Sequence, residues 1–311
     1  MLLAVENTAR ATFPAFHTHP DSWALMGALM LAYLFAVRGG KASSRQIFLF
    51  SSGVFTLLVA SDWPIHDLAE RYLYSFHMLQ HLLMILVAAP LLVMGTPEWL
   101  ARSILKKTHL MKPVRFLGRP IPNLIQFNLI VVLSHWPLIV NGTLEDHPLH
   151  FVAHAVLVIS AVIMWLPIVS PLPEIPQAKP PTKMLYLFLQ GIVPTVPASF
   201  LTFGTTPLYH FYEHVPRLWG MSALEDMQIA GLTMKIVGSF YLWTIIGVIF
   251  FRWYAAEERT SGEVLYWEDV ENELKLLGPL GNGNSNGHRN GNGNGNGNGK
   301  PRHSRRGRRT P

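Results

Sequence analysis

The chain has no cysteine and little charge. The absence of cysteine from all 311 residues excludes disulfides, iron–sulfur clusters and thiolate metal sites. A bound metal would therefore need histidine, methionine, carboxylate or backbone ligands. Asp, Glu, Lys and Arg make up 14% of the residues, whereas a soluble domain carries about 25%. Half of the chain is apolar, and its long, nearly uncharged windows are typical of membrane-spanning helices.

Seven apolar segments are separated by charged, glycine-containing or proline-containing loops. The predicted spans are residues 22–37, 47–60, 72–94, 123–140, 149–169, 184–203 and 229–251. They predict an all-α integral membrane protein, a seven-transmembrane helix bundle, over residues 22–254. Residues 1–21 precede the bundle as an outer N-terminal segment.

Lysine and arginine are distributed unevenly between the two sets of loops. The loops after spans 1, 3 and 5 and the segment after span 7 are basic, with six Lys or Arg residues between positions 102 and 119. The opposite loops hold only Arg10, Arg71 and Arg217. Because basic loops stay on the cytoplasmic side, we expect the N-terminus outside and the C-terminus in the cytoplasm.

The sequence after the last span is polar. Residues 255–280 are charged and amphipathic, which predicts a cytoplasmic surface segment. Residues 281–311 are rich in glycine and asparagine and end in arginines, so we expect a disordered tail. Contact with anionic lipid is an alternative for this tail, and a nucleic-acid partner is not predicted.

Five histidines fall at similar depth near the outer side of the predicted bundle. Two pairs have the i, i+4 spacing that places side chains on one helical face. At 1.5 Å per residue, the third, fourth and fifth spans each carry an imidazole roughly 7–8 Å below the outer surface. A single such histidine more often bonds a helix carbonyl, but neutral imidazole is also a common metal ligand. We therefore predict that three or four of these residues share one metal: His77, His81, His135, His150 and His154.

Four other residues near this side are candidate accessory groups. Met78 and Met234 offer thioethers, which select Cu(I). Asp226 and Lys235 lie at the outer end of span 7, where the lysine either snorkels outward or pairs with Asp226 or Asp62. An ammonium close to the metal would weaken binding by repulsion.

Several motifs carry a resemblance to a known family. They are SFHMLQHLL at 75–83, PLLVMGTP at 90–97, SHWP at 134–137, PLHFVAH at 148–154, WLP at 165–167 and DMQIAGL at 226–232. Together they resemble the CtaG family of membrane assembly factors of bacterial cytochrome c oxidase, associated with the caa(3) type, over roughly residues 20–255. Met227 and Lys235 depart from the Gln and Trp expected there.

The resemblance implies a multi-pass protein of the bacterial plasma membrane that is not an enzyme. Its implied partners are cytochrome c oxidase subunits and the lipid bilayer, and its implied cargo is copper. The copper centres of such oxidases lie toward the outer side, where the five histidines are predicted.

Three other functional classes share part of this pattern. A b-type haem electron carrier would use paired histidines. It would need them in both the outer and the cytoplasmic half of the membrane, and the predicted spans carry none in the cytoplasmic half. A copper or proton transporter would need polar groups on the inner side, where only Asn123, Gln126, Asn128 and Gln190 occur. A metalloprotease is disfavoured because no His-Glu-x-x-His motif is present. The sequence leaves the metal, the partner subunit and the oligomeric state open.

Overall fold

The structure is a computed structural model that describes residues 15–261 and 267–276, and every described element is helical. The first helices are α1 (Pro20–Val37), α2 (Ser44–Ala60), α3 (Ile65–Arg71), α4 (Tyr74–Leu82), a π-helical segment (Leu83–Ala88), α5 (Ala89–Gly95), α6 (Glu98–Lys107) and α7 (Met111–Leu117). They are followed by α8 (Pro120–Ser134), α9 (Pro137–Glu145), α10 (His147–Val169), α11 (Pro180–Ile192), α12 (Thr195–Phe203), α13 (His210–Glu213) and α14 (Ala223–Ser261). Predictions for residues 1–14 and 281–311 lie outside the described ranges.

The described residues after Glu258 belong to a second unit. Its described helix, α15 (Trp267–Leu276), carries an ion pair in which Lys275 Nζ lies 2.9 Å from Glu271 Oε1.

The long helices give the chain the architecture of a multi-pass membrane protein. Within the described residues, six helical stretches are long and apolar enough to span a bilayer: Pro20–Val37, Ser44–Arg71, Tyr74–Gly95, His147–Val169, Pro180–Phe203 and Ala223–Arg259. A seventh results if α7 and α8, which are bent by 91°, count as one span. The predicted all-helical class and a count of six to seven spans are therefore confirmed, and the sidedness of the termini stays a prediction.

The fourth apolar segment is not one continuous helix, contrary to the predicted span over 123–140. Helix α8 ends at Ser134, and α9 begins at Pro137. Proline disfavours helical geometry in the preceding residue and suits the first position of a helix, and Trp136 accordingly has an extended ψ of 129°. The break leaves His135 at the end of α8, where its carbonyl accepts a hydrogen bond of 3.0 Å from the Tyr209 hydroxyl. Burial raises the pKa of Tyr209 to about 12, so this hydroxyl remains a donor at neutral pH.

The third span changes its winding directly after the second histidine. Residues Leu83–Ala88 are π-helical, a feature that occurs often at functional sites. The Trp165 indole N–H donates to the carbonyl of Ile85 at 2.8 Å, which satisfies one carbonyl of the widened turns. Because a proline ring in a regular α-helix clashes with the carbonyl four residues earlier, the wider winding also accommodates Pro90.

Helices α2 and α5 are in close contact through glycine. A Cβ atom added to Gly95 would lie 2.4 Å from the backbone nitrogen of Phe50, and one added to Gly53 would lie 2.9 Å from Cγ of Leu92. The Tyr33 hydroxyl also donates to the carbonyl of Gly95 at 2.9 Å. These contacts fix the third span against the first two.

Polar side chains on α8 and α11 join neighbouring helices. The Asn128 amide donates to Gln190 Oε1 at 2.6 Å, and the Gln190 amide donates to the Tyr186 hydroxyl at 2.8 Å. The Asn123 amide donates to the carbonyl of Ile163 at 2.6 Å. Such interhelical hydrogen bonds stabilise helix association inside a bilayer.

Candidate metal centre

Three histidines from two helices bring their ring nitrogens together. His77 and His81 on α4 and His154 on α10 each offer a ligand nitrogen, and these nitrogens all lie within 4.8 Å of one another. The His77 and His81 ring centroids are 4.3 Å apart, as their shared helical face requires. His81 Nε2 lies 3.2 Å from His154 Nε2. Both α4 histidines are buried.

A fourth imidazole contacts this group. His150 Nε2 lies 2.9 Å from His154 Nε2, so the latter nitrogen faces two other Nε2 atoms. A neutral imidazole nitrogen either carries one proton or presents one lone pair. His154 Nε2 can therefore form only one of these two contacts as an ordinary hydrogen bond.

A metal ion would account for this convergence, because it accepts several lone pairs at once. With metal–nitrogen bonds of about 2.0–2.1 Å, two nitrogens of a tetrahedral site stand about 3.4 Å apart. The observed separations of 3.2 and 2.9 Å are close to that value. In addition, Nδ1 of His77 and Nδ1 of His81 are buried with no hydrogen-bond partner among the described residues. The donor set therefore fits a metal.

A carboxylate orients one of these imidazoles. Glu70 Oε1 on α3 lies 3.2 Å from His150 Nδ1. The carboxylate accepts a hydrogen bond from the Nδ1–H of the neutral ring, which leaves the lone pair of His150 on Nε2, toward His154. Carboxylates hold metal-ligating histidines in this way in many metal sites. Glu70 was not among the site residues predicted from the sequence, although its i, i+4 spacing from His66 was a signal that could have identified it.

Further polar residues continue from Glu70 toward the start of α1. His66 Nε2 lies 3.3 Å from Glu70 Oε1, and His66 Nδ1 lies 3.2 Å from the amide nitrogen of Gln80. The His19 and His66 ring centroids are 4.8 Å apart, and His19 Nε2 lies 3.0 Å from Asp67 Oδ2. None of these residues was among the site residues predicted from the sequence. They form a polar connection between the histidine group and α1.

His135 lies beside the histidine group, with its own contacts. Its ring centroid is 6.3 Å from that of His81. Nδ1 of His135 lies 2.7 Å from the carbonyl of Val131, and Nε2 lies 3.3 Å from Sδ of Met78. Met234 lines the same cavity as Met78, His81 and His135.

The other two accessory candidates are engaged elsewhere. Asp226 accepts hydrogen bonds from the backbone nitrogens of Tyr74 at 2.6 Å and Ser75 at 3.1 Å, so it caps the start of α4. Nζ of Lys235 lies 4.6 Å from the centre of the Phe203 ring, a cation–π contact. Asp226 thus positions the helix that carries His77 and His81, and Lys235 contacts an aromatic ring on α12.

Comparison with known proteins gives one result. The sequence model of a family described as cytochrome c oxidase caa3 assembly factor (Caa3_CtaG) matches residues 28–256, a stretch that contains all five candidate histidines. No curated protein and no solved structure matches the chain. Because the match covers well over half of the 311 residues, the chain belongs to the cytochrome c oxidase caa3 assembly factor family.

Proposed function

We propose that the chain is a non-catalytic assembly factor that holds copper for a bacterial cytochrome c oxidase and passes it to oxidase subunits in the plasma membrane. The proposed ligands are His77, His81 and His154, with His150 as the fourth. The observation that carries the proposal is the position of His154 Nε2, which lies 3.2 Å from His81 Nε2 and 2.9 Å from His150 Nε2.

Copper is the proposed metal for two reasons. Imidazole is a suitable copper ligand, and the family serves an oxidase, whose copper centres must be filled during maturation. The chain has no cysteine, so it offers no thiolate that would hold the ion too firmly for release. Neutral imidazoles add no charge of their own to the bilayer interior.

The proposed site lies near the outer surface of the membrane. His77 is close to the start of the stretch Tyr74–Gly95, whose far end leads into the basic residues Lys106 and Lys107 on α6. At 1.5 Å per residue this stretch of 22 residues is about 33 Å long, enough to cross the hydrocarbon core. With the basic end in the cytoplasm, the histidines face the side on which the N-terminus is proposed to lie.

The alternative classes receive less support. Axial haem ligands stand on opposite faces of a porphyrin, whereas these nitrogens are 2.9 and 3.2 Å apart and leave no space for the macrocycle between them. A transporter would need a polar path further inward. The amides of Asn123 and Asn128 there donate to neighbouring groups of the bundle, and of the polar side chains there only the oxygens of Asn123, Gln126 and Asn128 lack a hydrogen-bond partner in the described structure.

Metal analysis of the purified full-length protein tests the proposal. After loading with copper and removal of excess ion, we expect wild type to retain copper and the double variant His77→Ala/His81→Ala to lose the ion held by His77, His81 and His154. His210→Ala is the matched control, because its side chain is 80% exposed and pairs only with Glu213 in the described structure. Equal copper in all three proteins, or none in wild type, would refute the proposal.

A further inference from the structure

A small cavity lies beside the histidine group, inside the bundle. Its volume is about 70 Å³, and helices α4, α8, α10, α11 and α14 contribute to its walls. Its metal-binding side chains are Met78, His81, His135, Met164 and Met234. The cavity therefore combines imidazole with thioether, whereas the group around His154 consists of imidazoles.

The hydrogen-bonding of His135 determines which of its nitrogens is free. Nδ1 lies 2.7 Å from the carbonyl of Val131. A carbonyl only accepts hydrogen bonds, so Nδ1 carries the proton and the neutral ring keeps its lone pair on Nε2. A doubly protonated ring would bury a charge with only a thioether as its second partner, which is costly.

The partner of that lone pair is another lone-pair donor. Nε2 of His135 lies 3.3 Å from Sδ of Met78, and a thioether has no proton to offer. Both side chains are buried, at 7% and 2% exposure. Two electron-pair donors thus face each other at the separation of neighbouring ligands of a metal ion, with no hydrogen between them.

Other methionines of the chain show the ordinary arrangement. Sδ of Met227 accepts a hydrogen bond from the backbone N–H of Leu208 at 3.2 Å. Sδ of Met30 faces the hydroxyl of Ser51, another donor, at 3.8 Å. Met78 differs because the atom that faces its sulfur, Nε2 of His135, has no hydrogen to donate.

We propose that Met78 Sδ and His135 Nε2 are ligands of a second copper position, which takes Cu(I). The inference rests on the proposed function, because it assigns a second binding position to the copper that the protein is proposed to hold. Thioether ligands select Cu(I), and a monovalent ion costs less to bury than a divalent one. Copper stays monovalent throughout, so no electron transfer is involved.

His81 connects the two positions. Its Nε2 faces His154 at 3.2 Å, while its Nδ1 is buried and has no hydrogen-bond partner in the described part of the chain. Its ring also lines the cavity with Met78 and His135. Copper moves between the positions by exchange of ligands: bonds to His154 and its neighbours break as bonds to Met78 and His135 form. Met234, from α14, is placed to complete the second set.

The test compares two buried methionines of the same span. Met78→Leu removes the thioether and nearly conserves the volume, a change that buried sites tolerate well. Met84→Leu is the matched control, because Met84 is 3% exposed and packs in an apolar cluster with Leu57, Ala60 and Ala88. The full-length proteins are loaded with Cu(I) without oxygen, and copper per chain and copper X-ray absorption are measured.

We expect wild type and Met84→Leu to bind two Cu(I) ions per chain with sulfur among the ligands. Met78→Leu should lose one of the two ions and the sulfur scattering, and His135→Gln should lose the same ion. The inference is overturned if Met78→Leu binds copper as wild type does, or if wild type shows only nitrogen ligands. Those outcomes leave the histidine site standing, whereas a wild-type protein that binds no copper removes both proposals.

Discussion

The carboxylate of Glu70 lies 3.2 Å from Nδ1 of His150, although 80 residues separate them in the chain. The contact directs Nε2 of His150 toward His154, at 2.9 Å. Glu70 therefore acts on the proposed metal site through the ring that it orients. Its carboxylate contacts Nδ1 of His150, whereas the proposed ligand atom is Nε2 of the same ring.

Replacing Glu70 tests this positioning role. In Glu70→Gln the neutral amide should hold His150 less firmly and lower its basicity. We expect the copper affinity to fall about 10- to 100-fold, the usual effect of losing such an orienting group. A competition titration with a chromogenic copper chelator measures the change. The control Glu213→Gln, at the exposed pair with His210, should leave the affinity unchanged. Equal affinities for all three proteins would remove Glu70 from the site.

Copper affinity should depend on pH. The proposed ligands bind through neutral imidazole nitrogens, and protons compete for the same lone pairs. Affinity should therefore be constant at high pH and decrease as the histidines, whose ordinary pKa is about 6.5, become protonated. The same chelator competition, repeated across a pH series with the chelator calibrated at each pH, measures the profile. A flat profile down to the pH at which the protein unfolds would argue against imidazole ligation.

The contact between α2 and α5 should be sensitive to a single methyl group. In Gly95→Ala the new Cβ would lie 2.4 Å from the backbone nitrogen of Phe50, so the two helices must separate. We expect a loss of about 1–3 kcal/mol of stability, measured as a lower unfolding temperature in detergent. Gly27→Ala is the matched control on α1, where an added Cβ meets no atom within 4 Å. If both variants unfold at the wild-type temperature, the close packing is wrong.

The absence of cysteine makes the proposed orientation testable by labelling. Lys107→Cys and His214→Cys introduce single thiols at exposed positions on opposite ends of the bundle. In intact cells, a thiol reagent that does not cross the membrane should label the cysteine at 214 and spare the one at 107. After lysis, both should react. The reverse pattern, or labelling of both in intact cells, would contradict the proposed sidedness.

Much of the fold could be predicted from the sequence, because long apolar segments indicate membrane spans and charged loops indicate where those spans end. The i, i+4 spacing likewise placed His77 beside His81, whose ring centroids are 4.3 Å apart. The break after His135 was missed because the apolar run continues through it, although Pro137 was a visible signal.

Contacts between distant segments could not be predicted in this way. Residues 62–67 were predicted to be a loop, but α3 begins at Ile65. This helix places Glu70 in contact with His150. The pairing of Met78 with His135 also depends on how α4 and α8 pack. Helical periodicity gives the face of one helix, but it does not say which face of another helix lies opposite.

The most direct test of the central claim is the copper content of the oxidase itself. The oxidase is purified from cells in which this protein carries His154→Ala, and its copper is compared with that from wild-type and His210→Ala cells. Membrane levels of the three assembly proteins are matched beforehand by immunoblot. We expect an oxidase deficient in copper from the His154→Ala cells and a fully loaded oxidase from the other two. A fully loaded oxidase from all three would contradict the claim that this histidine group supplies the copper.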